Sequence, residues 1–222
     1  MKQGKISNRV IRRLPKYLRQ LQELADNDVD HISSGELGSK MGLTASQIRQ
    51  DFSCFGEFGQ QGYGYSVEKL LTEISAILGV ELDYPTVLVG VGNLGRALAI
   101  NFDFASIGYR LMAAFDVDPD LIGTTLSGIP ILSMDDIEDY VRENHVIAAV
   151  LAVPRTVTHE VTLHLQNCGI RAICNFTNTD LGLQNTDILV ENVLFSDSFL
   201  TLGYYLAEEL RAESSDIQED TL

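Results

Sequence analysis

The stretch Thr86–Ala99, TVLVGVGNLGRALA, decides the fold. Thr86 to Val89 read as a strand buried on both faces, and Gly90-x-Gly92-x-x-Gly95 then opens a helix. Glycine at these positions makes the tight turn, lets the backbone approach a pyrophosphate and allows close helix packing, while the helix N-terminus supplies partial positive charge. The loop Gly90, Val91, Gly92, Asn93, Leu94 and Gly95 is therefore a candidate dinucleotide site. GxGxxG alone is weak evidence, but here a strand precedes it and a helix follows. A second strand, YRLMAAFD, ends in Asp116, placed to accept from the adenosine ribose hydroxyls. Asp118 and Asp120 add negative charge that repels a ribose phosphate, which favours NAD(H) over its phosphorylated form.

Outward from this core the pattern alternates. A short strand around IPIL, a helix capped by Ser133, the strand HVIAAVLAV, a helix near Val157–Cys168 closed by Gly169, and the strand IRAICNF make a parallel doubly wound sheet. Val153, Pro154 and Asn175 fall at carboxyl ends of its strands, where such sheets bind ligands. The expected α/β domain spans 86–195 behind a linker at 81–85. A last helix, about Asp197–Arg211, carries Phe195, Phe199, Leu202, Leu206 and Leu210 at helical spacing and is read as a subunit contact over 196–212, before an acidic tail at 213–222.

Residues 1–80 have another character. The chain has a net charge of −15, which by itself argues against a nucleic-acid partner, yet no lysine follows Lys69 and the first nineteen residues hold seven cations and no acid. Val10, Ile11, Leu14, Tyr17, Leu18, Leu21 and Leu24 recur at helical spacing, with Pro15 marking a first turn, so this segment predicts an amphipathic helix basic on one side. Two shorter helices follow, announced by capping boxes at SGEL, with Ser33 or Ser34 as cap and Glu36 nearby, and at TASQ, with Thr44 and Gln47, and separated by a turn at Gly42. Helix, glycine turn and helix is the helix-turn-helix pattern, with Thr44 to about Cys54 as recognition helix. Ser46, Gln47, Arg49 and Gln50 are its candidate base readers, and Arg13, Arg19 and Ser53 join them as expected DNA contacts.

The segment FGEFGQQGYGYSV reads as a wing hairpin, with Phe55, Phe58, Tyr63 and Tyr65 packed on the helices and Gln60 and Gln61 at the tip as further expected DNA contacts, able to hydrogen-bond DNA but releasing no counterions. Val67–Leu78 predicts a further helix ended by Gly79. Cysteines at 54, 168 and 174 have neither metal-ligand nor disulfide-framework spacing, so three reduced, mostly buried thiols and no metal are expected. No apolar run has the length of a signal peptide or membrane span, which predicts a soluble cytoplasmic protein.

With these motifs in view, the sequence resembles the Rex redox-sensing transcriptional repressors of bacteria, through RRLPKYLRQL, ISSGEL, QIRQDFSCFGEFGQQGYGY, GVGNLGRAL, FDVDPDLIG, VPRTV and GIRAICNF. The resemblance covers nearly the whole chain. It implies a homodimer on double-stranded operator DNA, an N-terminal winged helix, a Rossmann domain sensing NADH against NAD+, a C-terminal helix exchanged between subunits, and release of DNA by NADH. It also marks departures. Gln50 and Gln61 stand where the family commonly has basic residues, and Asn101 and Leu194 where it has a tyrosine and an aspartate that partner Arg19. Thr158-His159 and Asn178 replace an alanine-glutamine pair and a proline near the nicotinamide. A paralogue that binds NAD(H) with an altered redox switch or weakened DNA binding is therefore one alternative. The other is an NAD-dependent oxidoreductase with His159 as proton carrier, disfavoured because this domain lacks lysine and no substrate domain is read in the sequence. The chain is read as a regulator, not an enzyme.

Overall fold

In the computed structural model, residues 6–56, 59–60, 63–183 and 186–219 are described, without the side chains of 59–60 and 212–219. The chain divides into two compact units, residues 1–82 and 83–222.

The first unit opens with α1 (Asn8–Ile11) and α2 (Leu14–Asp26). Two helices form where one was expected, because Pro15 lacks an N–H and its ring crowds the carbonyl four residues back. Ile11 is consequently exposed rather than part of the apolar face. Leu14, Tyr17, Leu21 and Leu24 are buried, each such side chain contributing about 1.5–3 kcal/mol. Next come β1 (His31–Ile32), α3 (Ser34–Met41) and α4 (Ala45–Ser53). Both capping boxes are present: Glu36 N donates to Ser33 Oγ at 3.1 Å and Gln47 N to Thr44 Oγ1 at 3.2 Å. Gly42 takes the left-handed conformation at φ 68° between them.

The wing strands β2 (Gly59–Gln60) and β3 (Gly64–Ser66) join β1 in an antiparallel sheet of order β1-β3-β2. β1 has only two residues, too few to show a period of two in the sequence. Helix α5 (Val67–Leu78) has the expected bounds and Gly79 as C-cap. Tyr65 is buried and Phe55 half-buried, but Tyr63 is 78% exposed and does not pack on the helices. Phe58 and Gln61 lie outside the described residues.

The second unit is a seven-stranded sheet. Its elements are β4 (Tyr84–Val89), α6 (Asn93–Asn101), β5 (Tyr109–Asp116), β6 (Thr125–Leu126), β7 (Ile129–Ser133), α7 (Ile137–Glu143), β8 (Ala148–Leu151), α8 (Thr158–Asn167), β9 (Ala172–Asn175) and β10 (Leu189–Asn192). The strand order is β10-β9-β8-β4-β5-β7-β6, parallel except for the β6–β7 hairpin. The chain reverses direction across the sheet between β4 and β8, which opens a crevice beyond their carboxyl ends. Val87 and Val89 enter one core with Phe115, Ile137 and Leu165, whereas Leu88 enters another with Ala99, Ala114 and Val150. A strand covered on both faces reads as a continuous apolar run.

Several boundaries differ from expectation. β4 starts at Tyr84, inside the expected linker, because Tyr84 N donates to Gly108 O at 2.8 Å and its ring packs, tilted, against that of Tyr109. β8 is confined to four residues of the expected nine. β10 was not foreseen, since Leu189–Asn192 has one half-buried position among exposed ones. The last helix, α9, runs Phe195–Glu219, through most of the expected tail, because 212–219 contains neither glycine nor proline to end it. Cys54 is exposed, while Cys168 and Cys174 are half-buried, and burial pushes both of those thiols up.

Candidate functional site

The candidate DNA-facing surface is α4 and the helix that supports it. Along α4, Ile48 and Phe52 face the core, with Phe52 between the rings of Tyr17 and Tyr65 at 5.0 and 5.1 Å. Ser46, Gln47, Arg49, Gln50 and Ser53 are all exposed on the remaining faces. Arg49 Nη1 donates to Ser34 Oγ at 2.9 Å, which fixes its guanidinium against the start of α3. Gln47 Oε1 accepts from Thr44 N at 2.9 Å, leaving its Nε2 amide as the group available to a base. Ser53 Oγ donates to Gln50 O at 2.8 Å.

Arg13, an expected DNA contact, is engaged within the N-terminal unit. Its Nε and Nη2 donate to the two carboxylate oxygens of Asp51 at 2.6 and 2.7 Å, and Tyr17 Oη donates to Asp51 Oδ2 at 2.7 Å. Asp51 is 2% exposed. Burial pushes this carboxyl up, but hydrogen bonds from Arg13 and Tyr17 outweigh it and the net direction is down. Arg13 is raised by the hydrogen bond to Asp51, and Tyr17 is raised by burial and then by that same carboxylate. A charge in the recognition helix thus ties it to α2. Sequence reading missed Asp51, since a lone acid on a helix facing DNA looks like a solvated residue; its core-facing spacing with Ile48 and Phe52 was the available signal. Arg19 is exposed on α2.

The second candidate site is the crevice at the carboxyl ends of β4 and β8. Gly90 sits at φ 94°, and a Cβ there would lie 2.6 Å from Ala152 O. A Cβ on Gly95 would lie 2.0 Å from Gly90 O, so only hydrogen fits between strand and helix. Gly92 caps α6 with open space where its Cβ would be, leaving room for a ligand to approach the helix N-terminus. Asn93 is exposed and Leu94 half-buried.

Asp116 ends β5 as expected, but its carboxylate is already engaged. Oδ2 accepts from Val91 N at 2.6 Å, and Oδ1 from Val117 N at 2.8 Å and Asp118 N at 3.0 Å. A carboxylate has about four acceptor sites, so one remains for a ribose hydroxyl. Asp116→Ala should therefore cost more than one ligand contact: an affinity loss of roughly 30-fold or more for NADH, about 2 kcal/mol, because loop and ribose lose their partner together. Unchanged binding in a fluorescence titration would remove Asp116 from the site.

Across the crevice, Val153 is half-buried and Pro154 exposed, and both lie just beyond β8. Asn175, expected at the ligand site, has its side-chain groups engaged within the loop that follows β9. Its side chain is fully buried, with Nδ2 donating to Thr179 O at 2.9 Å and Asn192 Oδ1 at 2.7 Å, and Oδ1 accepting from Thr177 N and Thr177 Oγ1. These bonds shape the loop after β9. Within that loop Asn178 stands at φ 55°, a conformation closed to the proline that the resemblance places there. His159 is exposed in the first turn of α8. Asn101 Nδ2 donates back to Ala97 O at 3.0 Å, and Leu194 is half-buried immediately before α9. Among the described residues no group of histidine, cysteine or acidic side chains is placed to hold a metal, and no helix is long and apolar enough to cross a membrane.

Comparison with known proteins agrees with this division. Residues 5–53 match a family described as "Putative DNA-binding protein N-terminus", and residues 81–179 one described as "CoA binding domain". The redox-sensing transcriptional repressor Rex of Clostridium perfringens is 48% identical over 90% of this chain and 94% of its own length. Rex of Clostridium beijerinckii is 48% identical over 93% of this chain and 98% of its own. The crystal structure of RSP with β-NAD+ and operator DNA superposes with a TM-score of 0.87 at 43% identity, covering 95% of this chain and 97% of that one. RSP with β-NADH gives the same score at 40% identity, covering 95% and 99%. On the length and level of this identity, the chain belongs to the Rex family of redox-sensing transcriptional repressors.

Proposed function

We propose that this protein is a homodimeric, cytoplasmic transcriptional repressor that binds operator DNA through α4 and the wing and binds NAD(H) at the Gly90–Gly95 loop, NADH binding releasing the DNA. The observation that carries this reading is the pairing of a capped, exposed recognition helix with a glycine loop open at Gly92, in a chain related over its length to repressors of that kind. Arg49 and the glutamines at 47, 50 and 60 read or position the DNA, with Arg19 at a phosphate; Arg13 acts through Asp51 on the orientation of α4. The exposed apolar stripe of α9, including Phe199, Leu202 and Leu206, is the dimer contact, exchanged between subunits.

The operator complex is the test. In a mobility-shift assay Arg49→Ala should abolish the specific complex, a bidentate base contact being worth about 1–3 kcal/mol, while nonspecific binding persists. A retained specific complex would direct attention to another surface.

A second reading, a relative with an altered redox switch, is favoured by two features. Asn101 satisfies its amide within α6, and Leu194 offers no charge to Arg19. A ligand shifts a two-state equilibrium only by its differential affinity for the two states. NADH is then expected to dissociate the operator complex less sharply than in relatives with the tyrosine and aspartate, and His159, at the start of α8, supplies part of the discrimination. Dissociation as sharp as theirs, unaffected by His159→Gln, would eliminate this second reading.

A further inference from the structure

Within the glycine loop, Val91 is held from both sides. Its N–H donates to Asp116 Oδ2 at 2.6 Å, its carbonyl accepts from Arg96 Nε at 3.0 Å, and its side chain is 1% exposed in the core with Leu88 and Ala114. The residue lies after β4 and before α6, where neither a strand ladder nor the helix provides regular partners for its peptide groups. Arg96 is in the helix it helps to place, and its own N–H bonds Gly92 O at 2.9 Å. The clamp therefore sets the direction of the Val91–Gly92 peptide, next to the open face of Gly92 where a pyrophosphate would meet the helix N-terminus.

We propose that Arg96 is a positioning residue of the dinucleotide site: together with Asp116 it grips both peptide groups of Val91 and holds the glycine loop in its ligand-receiving shape before the ligand arrives. The inference rests on the NAD(H) reading of this site. Its consequence is that Arg96 supports NADH and NAD+ equally, because the loop meets the pyrophosphate and not the nicotinamide. It contributes to affinity by lowering the ordering cost of binding.

The test uses the full-length protein with Arg96→Ala, Arg96→Leu and Arg96→Gln. Gln places its Nε2 the same number of bonds from the backbone as Arg places Nε, so it retains the donor to Val91 O without the charge. NADH, NAD+, ADP-ribose and AMP are titrated, and thermal unfolding without ligand is recorded. The expected result is a loss on the order of five- to tenfold for NADH, NAD+ and ADP-ribose alike in the Ala and Leu variants. AMP, which lacks the pyrophosphate, should change less than twofold, and Gln should recover most of the affinity. Unaltered NADH affinity in Arg96→Ala, with wild-type protein binding normally, overturns the inference and leaves the site reading intact. A loss that extends equally to AMP, is not recovered by Gln and comes with a lowered unfolding temperature also overturns it, since Arg96 would then be a general structural support. If wild-type protein binds none of the dinucleotides, the site reading and the inference fall together.

Discussion

Asp51→Ala is expected to destabilise the N-terminal unit by about 3–5 kcal/mol and to abolish operator binding as a result. The magnitude follows from what the carboxylate leaves behind. Tyr17 is fully buried and would keep an unsatisfied hydroxyl, and Arg13, whose side chain is 26% exposed, would lose a bidentate partner and recover only part of its hydration. Against a typical domain stability of about 5–15 kcal/mol, that loss leaves a marginal fold. Tyr17→Phe removes one hydrogen bond to the carboxylate without stranding a charge and should cost less, about 1.5–3 kcal/mol. The same triad sets a pH dependence. The folded-state pKa of Asp51 lies below its ordinary value, so its contribution is complete above the ordinary carboxylate range and is lost as pH falls through the depressed value. Tyr17 is raised, so its contribution is complete below the ordinary tyrosine range and disappears as pH rises beyond it. Urea unfolding followed by circular dichroism from acid to alkaline pH should show a broad plateau with a fall on each side. Asp51→Ala should flatten the acid fall, and wild-type-like stability of that variant would show that the triad contributes little.

The second large effect belongs to the glycine loop, where two glycines should both lose NADH binding on substitution but only one should lose stability. In Gly95→Ala the new methyl would stand 2.0 Å from Gly90 O, and backbone on backbone has no flexible side chain to yield. Strand β4 and helix α6 must separate, at a cost of about 1–3 kcal/mol or more, and NADH binding should fall below detection. Gly92→Ala meets nothing within 4 Å and has an ordinary φ of −70°, so the unliganded protein should unfold at an unchanged temperature. Its methyl occupies the space through which the ligand reaches the helix N-terminus, and binding should drop on the order of 100-fold. Thermal unfolding and NADH titration of the two variants side by side separate close packing from ligand room. If Gly92→Ala binds NADH normally, the pyrophosphate does not lie there.

The sequence by itself determined the elements whose signals are local. Capping boxes at Ser33 and Thr44, the helix Val67–Leu78 with its glycine stop, and the strand-loop-helix at Thr86 are set by contacts three or four residues apart, or by the absence of a Cβ. The doubly wound sheet followed because alternating strands and helices have few ways to bury their apolar faces. Only the tertiary structure decided the rest. That Arg13 is tied to Asp51 depends on residues thirty-eight apart meeting across a core, and Asp51 looks like any exposed acid until that core closes around it. β1 and β10 exist through pairing with β3 and β9, since neither has the length or periodicity to declare itself. The roles of Asp116 and Asn175 turned on the same point. Their position at strand ends was legible, but whether a polar side chain faces a ligand or is taken up by backbone amides is settled by what folds beside it, because a buried hydrogen-bonding group is costly to leave unpaired and the nearest partner takes it.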